Sequence, residues 1–165
     1  MSVSDDAVLM EVKGLVLDPS SNAPIIILKD LASRLFLPIW IGVFEANAIA
    51  IQIEGVEPPR PLTHDLFHST LTELGATIQR VVISDLKDNT FFAQLFLNLE
   101  TREVAMDSRP SDAIALALRS SAPIYVLPKV LESARALNAE GESDSDSLKR
   151  WFENLETDDL GKYKM

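Results

Sequence analysis

Three short stretches of the chain hold residues whose types and spacing could do chemistry. The densest is Met106-Asp107-Ser108-Arg109-Pro110-Ser111-Asp112, at the join of an apolar strand pattern and an Ala-rich helical one. Pro110 suits a first helical position, where no amide hydrogen is needed. Asp107 and Asp112 could hold a Mg2+ or Mn2+ ion through oxygen ligands. Arg109 and the open amides of a helix start could receive a phosphate or another anion. The same residues also have an architectural reading, in which Ser108 caps the helix, Asp112 serves its dipole and Arg109 pairs with Asp107. The second stretch is Arg60-Pro61-Leu62-Thr63-His64-Asp65. His64 and His68 are the only histidines, at helical i, i+4 spacing, but no HExxH pattern surrounds them. His64, beside Asp65 and Arg60, is the better acid–base group near neutral pH, and His68 reads as a helix-surface residue. The third is Glu45, a first-turn acid that suits a helix dipole or joins the other two stretches in one site.

The elements that must position these residues follow from pattern and punctuation. Residues 8–17 read as a strand, Asp18 to Asn22 as a turn, Ile25 to Leu28 and Leu37 to Ile41 as further strands. Glu45 to Glu54 reads as a helix closed by Gly55. A Pro-rich connector at residues 57–61 leads to a helix with Leu62, Leu66, Phe67, Leu71 and Leu74 at helical spacing, with Thr63 as its expected N-cap and Gly75 as its stop. Strands then follow over Thr77–Ile83, Thr90–Leu97 and Glu103–Met106, with a turn at Asp85 to Asn89 and a helix over Pro110–Arg119. Pro123 to Leu127 is one more strand, and a helix begins at Pro128. Residues 139–147 are acidic and Ser-rich and read as mobile, before a short helix from Leu148 to Leu155.

Sliding the sequence by 65 positions sets Ala48-Ile49-Ala50 on Ala113-Ile114-Ala115 and Asn47 on Asp112, with no gap from Pro24 to Ile51. The expected architecture is therefore α+β: duplicated β-β-β-α units forming an antiparallel or mixed sheet with packed helices, plus short C-terminal helices. Packing of the halves about a pseudo-twofold axis would turn both helix starts into one cleft, where Glu45, Asn47, Arg109 and Asp112 converge. Two organisational units are expected: a main domain over residues 1–138 and an acidic segment with a short helix over 139–165.

Composition sets the outer limits. The chain has 165 residues, 47% of them hydrophobic, which suits one domain with a sizeable core. Cysteine is absent, excluding disulfides and thiolate chemistry. The acidic start argues against a signal peptide, and no apolar run is long enough to span a bilayer, so a cytoplasmic protein is expected. Fifteen basic residues against twenty-five acidic give a net charge of −10. Such a surface repels duplex DNA, although it leaves room for an enzyme that holds a strand briefly. No P-loop, GxGxxG or GxSxG pattern occurs. Trp40, Phe91, Phe92 and Trp151 are material for an interface, and a homo-oligomer is expected.

At these residues the sequence resembles the bifunctional nuclease domain family. The matching pieces are Leu37-Pro38-Ile39-Trp40-Ile41-Gly42 with Glu45-Ala46-Asn47-Ala48-Ile49, then Arg60 to Leu66, the Gly75-Ala76 turn, and Asp107 to Ala117. The closing Asp159 to Met165 also looks like the end of bacterial members. The resemblance implies a small α+β domain and a nuclease acting on RNA and DNA without strong sequence selectivity, with nucleic acid as a transient partner. It sets Glu45, His64, Asp65, Asp107, Arg109 and Asp112 in the family's polar motifs. For such an enzyme Asp107 and Asp112, with Glu45, would bind the divalent ion, Arg109 would clamp phosphate and His64 would shuttle a proton. The alternative is a non-catalytic oligomeric binding or regulatory module. The acidic composition and the incomplete metal constellation favour it.

Overall fold

The structure is a computed structural model that describes residues 5–140, with side chains described to residue 135. The elements run β1 (Val8–Leu17), β2 (Pro24–Asp30), β3 (Phe36–Trp40), α1 (Val43–Glu54), α2 (Thr63–Glu73), β4 (Thr77–Lys87), β5 (Thr90–Leu99), β6 (Arg102–Ser108), α3 (Pro110–Ser120), β7 (Ile124–Val126) and α4 (Pro128–Glu140). One seven-stranded sheet has the order β3-β2-β1-β7-β4-β5-β6. It has two antiparallel wings, β1–β3 and β4–β6, and each wing is followed in the chain by a helix or helices. The short β7 joins them, antiparallel to β1 and parallel to β4. The fold is thus α+β with a mixed sheet.

Branched and long apolar side chains build the core on one sheet face. Ile26, Leu28, Leu37 and Ile39 come from the first wing, and Val81, Ile83, Leu95 and Leu97 from the second. Ile49 of α1, Ile114 and Leu116 of α3, and Val130 of α4 cover them. Each fully buried aliphatic side chain contributes about 1.5–3 kcal/mol of transfer free energy. α1 and α3 pack against each other, and both are rich in buried alanines: Ala46, Ala48 and Ala50 on one, Ala113, Ala115 and Ala117 on the other. Small side chains let two helix axes approach closely, which brings the helix starts within ion-pair reach.

Several boundaries differ from expectation for identifiable reasons. β4 continues to Lys87, where a turn was expected from Asp85. Bulges between Ile78 and Arg80 and between Ile83 and Asp85 break the alternation that would have revealed the longer strand. The turn is confined to Asp88-Asn89, both at positive φ, 49° and 59°, as a two-residue hairpin loop requires. α1 starts at Val43, ahead of Glu45, and ends on Gly55 at φ 67°. α4 runs through Glu140, into the segment read as mobile. The acidic stretch from residue 141, the helix expected over Leu148–Leu155 and the closing motif lie outside the described residues.

Candidate active site

Three helix starts meet at one cleft of about 860 Å3. Glu45 and Asn47 come from α1, His64 from α2, Asp107 and Ser108 from the end of β6, and Arg109 and Asp112 from the start of α3. Its walls are largely apolar, with Phe44, Leu62, Phe67, Leu95, Met106 and Leu116. Phe44 is 88% exposed, far more than its size favours.

A continuous chain of charged contacts crosses this cleft. The Arg109 guanidinium places Nη2 2.7 Å from Glu45 Oε1 and donates from Nε to Asp112 Oδ2 at 2.8 Å. Asp112 Oδ1 in turn lies 2.8 Å from His64 Nε2. Burial works to raise the Asp112 pKa, but hydrogen bonds from Arg109 and His64 outweigh it and hold the carboxyl below its ordinary value. Asp112 is therefore ionised near neutrality and can only accept, so Nε2 of His64 carries the hydrogen. In the neutral ring this arrangement leaves the lone pair on Nδ1, the form a general base uses. Asp112 and then Glu45 push the Arg109 guanidinium further up, so it stays cationic.

Local sequence explains the placement. Gly42 precedes α1 because Glu45 folds back over the helix start: a methyl group on residue 42 would overlap the Glu45 carboxylate. Arg109 itself is the N-cap of α3, in extended conformation ahead of Pro110, and no side chain caps that helix. Ser108, expected to cap, instead donates its hydroxyl to the Arg109 carbonyl at 2.9 Å. Arg109 also pairs with Glu45 and Asp112, not with Asp107, because Asp112 stands one helical turn on and α1 delivers Glu45 from the other side. Thr63 is not the N-cap of α2 either. Leu62 holds that position, and its amide donates to Asp65 Oδ2 at 2.9 Å, an acid three residues on reaching back to the free N–H.

The expected site residues thus divide. Glu45, His64, Asp107, Arg109 and Asp112 line the cleft. Asp65 does not: it turns away to Arg119 Nε at 2.7 Å. Arg60 and His68 also lie outside the lining. Asn47, which the sequence slide paired with Asp112, reaches the cleft with its Oδ1 buried and without a partner among the described residues. The apolar walls were not anticipated, although Phe44 at a helix start was the available signal.

The ion expected on Asp107 and Asp112 meets a competing set of contacts. Both Asp112 oxygens are engaged, one by Arg109 and one by His64. Among the described residues no group of three or more His, Cys, Asp or Glu side chains is arranged to hold a metal. The donors present therefore do not make a built metal site unless Asp112 gives up one of its partners. Among the same residues no helix is long and apolar enough to cross a membrane.

Comparison with known proteins places this chain in a family. The model of the bifunctional nuclease domain matches residues 26–138, which include every residue of the charged chain. An uncharacterized protein of Mycobacterium tuberculosis is 38% identical over 161 residues, covering 92% of this chain and 96% of that protein. Bifunctional nuclease 2 of Oryza sativa is 28% identical over 144 residues, and Bifunctional nuclease 1 of Arabidopsis thaliana is 30% identical over 107. These matches cover 80% and 62% of this chain but only 44% and 33% of the plant proteins. The chain belongs to the bifunctional nuclease domain family.

Proposed function

We propose that this protein is a nuclease that hydrolyses phosphodiester bonds of RNA and DNA with little sequence selectivity. The observation that carries the reading is the unbroken contact chain Glu45–Arg109–Asp112–His64 at the mouth of one cleft. In this reading Asp112 fixes the His64 tautomer, and His64 Nδ1 takes a proton from water as its oxygen bonds to phosphorus; the P–O bond to the leaving nucleotide oxygen breaks, and that oxygen takes up a proton from solvent. Arg109 binds a non-bridging phosphate oxygen and offsets charge that grows in the transition state. Glu45 holds the guanidinium in place. Two plant relatives are named bifunctional nucleases, which supports a nuclease reading. The net charge of −10 repels a nucleic-acid backbone, so the reading requires a brief, local hold on the strand at Arg109.

A Mg2+ or Mn2+ ion on Asp107 and Asp112 is a second route to the same reaction. It requires Asp112 to release Arg109 or His64. Assay of exhaustively purified protein on single-stranded RNA and DNA, with Mg2+, Mn2+ or EDTA, separates the two. Cleavage that co-elutes with the protein and persists in EDTA supports the His64–Asp112 pair, and cleavage abolished by EDTA supports the ion.

A non-catalytic oligomeric module is the competing reading. It is favoured by the exposed apolar residues around the cleft, Phe44 above all. Cleavage that fades with purification, together with self-association by light scattering, would decide for it. Self-association is expected in either case, and a monomer at micromolar concentration contradicts it.

A further inference from the structure

Arg119 lies in the last turn of α3, at the opposite end from Arg109. Its side chain is only 4% exposed, and all three nitrogens are used. Nε donates to Asp65 Oδ1 at 2.7 Å, Nη1 to the Ala115 carbonyl at 2.9 Å and Nη2 to the Ala48 carbonyl at 3.2 Å. One guanidinium therefore grips α1, α2 and its own helix. The second Asp65 oxygen accepts the Leu62 amide, which fixes where α2 begins. α2 gains from such a tie because none of its residues is fully buried, and its Leu71 is only partly buried against the core. His64 sits directly beside Asp65 in that first turn.

We infer that Arg119, acting through Asp65, is a positioning residue that sets His64 against Asp112. The inference rests on His64–Asp112 being the working pair of the proposed nuclease, but its test does not depend on cleavage. The planar fork matters here: a lysine could reach Asp65 but could not also bond two carbonyls in the guanidinium's geometry.

Side-chain 15N NMR reads the prediction directly, because His64 and His68 are the only histidines. His68, one turn further along α2, is the internal control. In Arg119→Met the His64 signals should lose the pattern of a fixed Nε2–H tautomer while far-UV circular dichroism stays unchanged. On a fluorogenic single-stranded oligonucleotide, kcat should fall about tenfold or more with KM held within about twofold. Arg119→Lys should recover part of both. His64 signals identical to wild type in Arg119→Met would overturn the inference, even if cleavage were lost. If Arg119→Met does not fold, Asp65→Asn carries the same two outcomes, since it keeps an acceptor for the Leu62 amide but loses the charge facing Arg119. A wild-type protein without cleavage whose variants still shift His64 would remove the nuclease reading and leave the positioning role standing.

Discussion

The two ends of α3 each carry an arginine paired with aspartate, and they differ in every respect that decides role. Arg119 occupies the C-terminal turn, where a cation is favoured by the helix dipole, and its side chain is buried against two backbone carbonyls. Arg109 occupies the N-cap, where the dipole opposes a cation, and its side chain is 64% exposed. Helix stability accounts for the first and not for the second. An arginine held at the wrong end of a dipole by two acids, and left largely exposed in the cleft, fits the phosphate-binding role proposed for it. Burial and dipole direction therefore separate architecture from chemistry here, where residue type and pairing do not.

The contrast can be broken or sharpened by substitution. The largest effect belongs to the N-terminal end. His64→Ala and Asp112→Asn should each lower kcat for oligonucleotide cleavage by about 10²–10⁴-fold, with unchanged circular dichroism. Wild-type rates in both would place the chemistry elsewhere.

Stability should follow the opposite pattern. Arg119→Met strands Asp65 and two carbonyls and should cost about 3 kcal/mol in urea denaturation. Arg109→Met, at an exposed pair, should cost under about 1 kcal/mol while slowing cleavage. Equal losses in the two variants would erase the distinction.

Acid titration probes both ends at once. At Asp65, as at Asp112, burial works upward, but the Leu62 amide and Arg119 outweigh it and the pKa is lowered. The Trp40 indole N–H, with the Ser20 amide, lowers Asp18 more strongly. A folded pKa below the unfolded one gives stability that is present above the ordinary aspartate value of 3.8 and lost as pH falls through the folded value. The thermal midpoint should hold between about pH 7 and 5 and fall below about pH 4. The fall should be shallower in Asp112→Asn and in Asp65→Asn. The smallest effect is expected from Gly42→Ala. The displaced group is the flexible end of Glu45, so stability should change by under about 1 kcal/mol, with Arg109 freed from one acid and the salt dependence of oligonucleotide binding altered.

Much of this was legible in the sequence. Branched runs and turn clusters gave the strands, and the convergence expected of Glu45, Asn47, Arg109 and Asp112 matches the lining of the cleft. Asp65 was misplaced because adjacency to His64 says nothing about which way each side chain leaves a helix. Successive residues diverge by about 100°, so His64 faces the cleft and Asp65 faces Arg119. Arg119 itself was invisible. In an Ala-rich helix a last-turn arginine looks like any dipole partner, and its long-range acceptors, Asp65 and Ala48, are fixed only by tertiary packing. The β4 boundary was lost to bulges that one-dimensional alternation cannot register.

In the sheet, the first wing reaches the second only through β7, a three-residue strand that follows α3 in the chain. The two wings become one sheet only when Ile124–Val126 pairs with Val8–Met10 on one side and Val81–Ile83 on the other. Away from that strand, the halves are joined by the packing of α1 on α3 and by the Arg109–Glu45 pair. The last strand to leave the ribosome therefore completes the sheet, while the cleft is framed by helices that already meet.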